Sequence, residues 1–136
     1  MLGEKGRPRL LIDESAFAKK GDKSAGVSRQ YNGRLGKVDN SQVGVFAALA
    51  RDERAVLTGA RLYLPKDWVS DPKRCRAAGI PKEEQVFRTK SELAWELIEE
   101  TMRDGIEFAS VGFDAGYGRD QALLLKVSGA VKVLVA

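Results

Sequence analysis

Two aspartates carry the chemistry that this sequence can offer. Asp13 lies at the end of the aliphatic run RLLIDE, residues 9–14, and Asp114 directly follows the apolar segment Phe108 to Phe113. Each run reads as a short buried strand that delivers a carboxylate at its end. Ligands of open α/β sheets bind beyond the carboxyl ends of strands, so that is where such carboxylates can act together. Two carboxylates held together repel, and a hard divalent cation relieves the repulsion. Magnesium takes oxygen ligands and keeps several waters, so one or two protein carboxylates per ion suffice. Two such ions about 3.5–4 Å apart stabilise the attacking and leaving oxygens of a phosphoryl displacement. Aspartate also ends strands simply because it makes turns, so the pattern alone leaves a structural role open. Glu14 points away from Asp13 by strand alternation and reads as a supporting or solvent-facing residue.

Composition narrows the alternatives. The 136 residues include no histidine, which excludes Ser-His-Asp triads, Cys-His dyads and histidine-ligated zinc. The single cysteine, Cys75, makes neither an internal disulfide nor a four-cysteine metal site. Any hydrolytic or metal chemistry must come from carboxylates. The length suits one domain spanning residues 1–136, and 43% hydrophobic with 31% charged residues is the make-up of an ordinary globular protein. With neither a signal-peptide core nor an apolar membrane span in the sequence, the expected location is the cytoplasm and no membrane partner is expected. The net charge of +4 is unevenly placed: residues 1–40 hold nine Lys/Arg against five Asp/Glu, and the remainder holds 14 of each. That asymmetry points to a polyanionic partner such as nucleic acid, against the plain alternative of a solvated basic surface. Lys19, Lys20, Lys23 and Arg29 flank the segment after Asp13 and are candidate phosphate contacts, which position DNA without reading its sequence.

The elements that must position these groups follow from pattern. A strand over residues 9–14 stops at Asp13 or Glu14, and Ser15 to Lys23 reads as a turn or loop. Ser24 to Tyr31 reads as a strand with Ala25, Val27 and Tyr31 as inward candidates. Asn32 to Asn40 is a connection, and Gln42 to Ala50 another strand. Arg51-Asp52-Glu53-Arg54 is a tight charged turn into a further strand, Ala55 to Leu64, so the chain opens as an antiparallel meander. Pro65 to Arg88 reads as a long loop with one helical turn near Lys73 to Ala78. A helix starts after Thr89, where Thr89 and Glu92 have capping-box spacing, and Ala94, Leu97, Ile98, Thr101 and Met102 share a face. Gly105 stands where a left-handed C-terminal cap is expected. Trp68 and Trp95 read as packing residues. A strand to Phe113, a turn at residues 115–118, a helix Asp120 to Val127 and a strand Ala130 to Val135 complete an α/β order.

At these residues the sequence resembles a known family. LIDESAFAKKG (Leu11 to Gly21), GVSRQYNGRLGKVDNSQVGVF (Gly26 to Phe46), RLYLPKDW (Arg61 to Trp68), FRTKSELAWELIE (Phe87 to Glu99) and FDAGYG (Phe113 to Gly118) resemble blocks of the catalytic domain of DDE transposases of bacterial insertion sequences. The blocks stand in the family's order over nearly the whole chain. The resemblance implies a ribonuclease-H-like mixed sheet, three antiparallel strands followed by helix, strand, helix and strand, incomplete at the C-terminus. It implies that Asp13 and Asp114 are the first two catalytic acids and bind Mg2+ or Mn2+. The implied reactions are cleavage at transposon ends and strand transfer into target DNA. Ala16 and Ala18 stand where the family pattern has Gly and often Pro, a change that alters the loop rather than the ligand.

The family's third acid, a glutamate on a helix after the fifth strand, has no counterpart within these 136 residues, because Asp104 and Glu107 precede Asp114. The expectation is therefore a fragment of a transposase, inactive alone, with DNA, full-length transposase or a second copy as partners. The alternative is a non-enzymatic remnant that binds DNA or pairs with transposase. Two other aspartate-dependent classes fail on spacing. A dehalogenase-type phosphatase needs an Asp where Ser15 stands, and a receiver domain needs an Asp after an intermediate strand that the sequence lacks.

Overall fold

The computed structural model describes residues 7–32 and 35–113. Among these residues, five strands and three α-helices follow in the order β1 Arg9–Ala18, β2 Ser28–Asn32, β3 Lys37–Arg51, β4 Arg54–Leu62, α1 Lys66–Val69, α2 Pro72–Ala77, α3 Lys90–Arg103 and β5 Ser110–Phe113. A 3-10 turn at Lys82–Glu84 stands between α2 and α3. The strands form one sheet in the order β2-β3-β1-β5, with β4 also paired to β3. β2 and β3 are antiparallel, and β1 and β5 are parallel, so the class is mixed α/β. Both antiparallel and parallel pairing are present among the described strands. The turn at residues 115–118, the helix from Asp120 and the strand from Ala130 lie outside the described residues.

The chain divides into two compact units. Among the described residues, the first comprises residues 7–13, 46–61 and 90–113, and the second residues 14–32, 35–45 and 62–89.

In the first unit, Leu10 and Ile12 are buried and alternate with more open neighbours, as a half-covered strand requires. Helix α3 buries Leu93, Ala94, Leu97, Ile98 and Thr101, the three-to-four spacing of an amphipathic helix. Leu93 joins the face read from sequence, and Met102 is only half-buried. The helix ends in a Schellman cap. Gly105 at φ 75° donates to Met102 O at 3.1 Å, and Ile106 N donates to Thr101 O at 3.2 Å. Gly59 on β4 lies so close to α3 that a Cβ there would stand 2.9 Å from Leu97 Cδ2. Arg61, at the end of β4, bonds Glu96 at 3.6 Å and Glu100 at 2.5 Å, carboxylates one helical turn apart. The tight turn at residues 51–54 is present, with Asp52 at φ 55°, a left-handed conformation that a short polar side chain tolerates.

In the second unit, Trp68 and Cys75 are fully buried beside Leu64, with Val69, Ala78 and Ile80 packed around them. The expected long loop after Pro65 thus contains two short helices rather than one helical turn. The foreseen helical turn near Lys73 is α2, capped at its start by Asp71 Oδ1 on Arg74 N at 3.1 Å. It ends at Gly79, φ 80°, where Ile80 N reaches Cys75 O at 3.0 Å in a second Schellman cap. Ile80 then packs on the Trp68 cluster, the hydrophobic contact that accompanies this motif.

Two readings of this unit need correction. Tyr31 points outward, 63% exposed, and Asn32 is buried in its place. Asn32 is held by polar contacts: its Nδ2 donates to the buried Ser41 Oγ at 3.4 Å, and its carbonyl accepts from Leu35 and Gly36 in the turn into β3. The hydrogen-bonding demand of the turn overrides side-chain hydrophobicity here. Residues 24–27 also form a turn rather than a strand, with Val27 N donating to Ser24 O at 3.1 Å.

Tyr63 meets Phe87 edge-on, with ring centroids 6.2 Å apart. Burial raises the Tyr63 phenol above its usual value of 10.0, and the Asp67 carboxylate adds to the rise. The folded state therefore holds this proton more tightly than the unfolded chain. Its stabilising contribution is complete below pH 10 and is lost as pH climbs through the higher folded value. Alkaline unfolding followed by phenolate absorbance should show this loss, and Tyr63→Phe should remove that part of the pH dependence. An unchanged alkaline profile in Tyr63→Phe would refute the assignment.

Candidate functional site

Asp13 sits within β1 rather than at its end. The strand was expected to stop at Asp13 or Glu14, but it continues to Ala18, and Ala16 is buried within it. The SAFA segment keeps strand alternation, so the loop begins only at Lys19. Asp13 and Glu14 are both exposed, directly after the buried Ile12. Rigid apolar anchoring followed by an exposed carboxylate is the arrangement a ligand-binding acid needs.

The partner strand is β5. Arg9 pairs with Ser110, Leu10 with Val111, Leu11 with Gly112 and Ile12 with Phe113. Ala109 N donates to Pro8 O at 2.8 Å and extends the pairing by one step. Gly112 accommodates its neighbour, since a Cβ there would lie 3.0 Å from Leu11 Cδ2. The register therefore aligns the residue before Asp13 with the residue before Asp114 in the chain. Asp114 itself lies outside the described residues, as does Tyr117. Among the described residues, no cluster of three or more His, Cys, Asp or Glu side chains could hold a metal ion.

The four basic candidates lie in the second unit. Lys19, Lys20 and Lys23 are exposed on the loop that leaves β1, and Arg29 is exposed on β2. Sequence reasoning missed the groups that shape this loop. Arg74, Trp68, Asn40, Gln42 and Gln30 all send side-chain donors to its carbonyls. Long-range bonds from single side chains on β2, β3 and two short helices leave no periodic signal, and a tryptophan in a segment with three prolines was the one available hint. Cys75, which stands among Lys73, Arg74 and Arg76 in the sequence, is buried, and its thiol donates to Trp68 O at 3.1 Å. No helix among the described residues is long and apolar enough to cross a membrane.

Comparison with known proteins gives the family. The profile of the DDE superfamily endonuclease family matches residues 2–136. The chain is 38% identical over 115 residues to a probable transposase for insertion sequence element IS701 from Microchaete diplosiphon. That alignment covers 84% of this chain and 27% of the relative, so the chain spans about a quarter of the relative's length. No solved structure matches it. With a family match over almost every residue, the chain belongs to the DDE superfamily endonucleases.

Proposed function

We propose that this chain supplies the first two acidic ligands, Asp13 and Asp114, of a metal-dependent site for transposon-end cleavage and strand transfer. The observation that supports the pairing is the parallel register that sets Ile12 against Phe113. Each aspartate follows one of those residues, and consecutive Cα atoms are about 3.8 Å apart. Neighbouring strands lie about 4.8 Å apart. The register thus sets side by side the two chain positions that precede the aspartates. The mixed sheet, antiparallel at β2/β3 and parallel at β1/β5, suits a ribonuclease-H-like core.

The donor set fits a hard divalent cation, Mg2+ or Mn2+, because it consists of carboxylate oxygens with no histidine or accessible thiol nearby. Such ions, when bound, supply the positive charge that stabilises attacking and leaving oxygens. Asp13 would hold its carboxylate on a strand fixed by Leu10 and Ile12, and Asp114 would offer the second. Lys19, Lys20, Lys23 and Arg29 would neutralise DNA phosphates. With two of the family's three acids, the 136 residues alone bind metal and DNA without cleaving.

Manganese titration by water-proton relaxation tests the site apart from activity. Asp13→Asn should weaken Mn2+ binding by at least about tenfold, the scale on which losing even a supporting partner matters. Equal affinity in wild type and Asp13→Asn would remove Asp13 from the site. Incubated with supercoiled plasmid and Mg2+ or Mn2+, the chain should nick no faster than Asp13→Asn. Robust nicking abolished by Asp13→Asn would overturn the proposed inactivity.

A further inference from the structure

The loop of residues 19–27 has its carbonyls drawn inward by side chains. Asn40 Nδ2 donates to Lys19 O at 2.9 Å and Gly21 O at 2.5 Å. Gln42 Nε2 donates to Ala25 O at 2.8 Å, and Gln30 Nε2 to Gly26 O at 3.2 Å. Two further donors come from the short helices. Trp68 Nε1 reaches Val27 O at 2.7 Å, and Arg74 Nη2 reaches Asp22 O at 3.0 Å and Val27 O at 3.3 Å. Arg74 is itself fixed, its guanidinium 3.9 Å above the Trp68 ring and 3.7 Å from the Asp67 carboxylate.

A backbone held this way has committed its acceptors to the protein. The exposed ammonium groups of Lys19, Lys20 and Lys23 are then presented from a framework that is already ordered. Binding an anion to such a loop avoids the entropy of ordering it first. A planar guanidinium suits the bracing role, since it stacks on an indole and donates to two carbonyls at once.

We infer that Arg74 and Trp68 are positioning residues, which hold the loop of residues 19–27 as a preformed phosphate-binding face for the DNA backbone. The inference rests on the DNA reading above, and its test separates the two. Trypsin cleavage after Lys19, Lys20 and Lys23 without DNA reports the brace. Duplex DNA affinity across a salt series reports the ligand.

Arg74→Lys keeps the charge but loses the planar fork. It should raise cleavage about tenfold, as expected for losing charge-assisted bonds that close a loop. DNA binding should weaken by about tenfold at every salt concentration, with the salt slope unchanged because the phosphate contacts remain. Replacing the three lysines with glutamine should instead lower the slope by about 2.7. Trp68→Phe, which keeps a ring under Arg74 and loses one donor, should show a smaller increase in cleavage. It also serves if Arg74→Lys fails to fold. Wild-type cleavage and affinity in Arg74→Lys would overturn the brace. In Arg74→Gln, which removes the charge, a slope lower by about 0.9 with unchanged cleavage would make Arg74 a phosphate ligand instead. Wild-type protein without salt-dependent DNA affinity would overturn the DNA reading, while the cleavage rates would still decide the brace.

Discussion

Trp68→Ala is expected to destabilise the unit of residues 14–45 and 62–89 by about 3–5 kcal/mol, the range for removing a large buried aromatic. Trp68 is 0% exposed at the centre of the cluster with Leu64 and Cys75, and Val69, Ala78 and Ile80 pack on it. The substitution removes this apolar contact together with the Nε1 bond to Val27 O and the surface on which Arg74 stacks. The Trp68 carbonyl still accepts from the Cys75 thiol, so the loss is one of side chain rather than of backbone. Trp68→Phe separates the terms. It refills most of the space and removes only the indole donor, and Arg74 still donates to Val27 O at 3.3 Å. The carbonyl is not orphaned, so the cost should be about 1 kcal/mol. Urea unfolding gives the magnitudes, and hydrogen exchange shows which unit opens. A cost for Trp68→Ala no larger than that for Trp68→Phe would show that the cluster closes over the gap and that Trp68 is no keystone.

What could be read from the sequence was whatever repeats. Leu10 and Ile12 announced β1, and the apolar face of α3 announced a helix, including its Gly105 cap, because each pattern runs for at least two periods. Helices α1 and α2 are four and six residues long, too short for a helical period to declare itself. Their stability comes from Trp68, Cys75 and the caps at Asp71 and Gly79, and so from tertiary contact. The end of β1 was misread because Lys19 to Lys23 look like a loop, and that composition was extended back over Ser15 to Ala18. Tyr31 reads as inward and is exposed because alternation ranks residues by hydrophobicity and ignores the acceptors of a turn, which bury Asn32 instead. Asp13 was legible as an exposed acid after an apolar anchor. Its alignment with β5 was not, since register between distant strands is set by packing such as Leu11 over Gly112.

Gly26→Ala should cost about 3 kcal/mol, from two separable sources. Gly26 has φ 77°, where an L-residue pays about 1–2 kcal/mol for the approach of its Cβ to its own backbone. The new Cβ would also lie 2.9 Å from Tyr63 O, a backbone atom that cannot swing aside as a side chain can. The strand end that carries Tyr63 is tied down by Tyr63 N donating to Val43 O at 2.9 Å. The loop cannot retreat either, because Gln30 holds Gly26 O and both Trp68 and Arg74 hold Val27 O. Gly21→Ala is the control: φ is 82°, yet nothing lies within 4 Å of its Cβ, so it should pay the conformational cost alone. The difference between the two variants in urea unfolding measures the steric contact. Equal costs would mean that the Tyr63 carbonyl yields. A larger cost at Gly26 would mean that the lysine loop is fixed from both sides, by side-chain donors on its carbonyls and by backbone packed against Gly26. In that case Gly26→Ala should also speed trypsin cleavage at Lys19, Lys20 and Lys23, because the strain is relieved by letting the loop open.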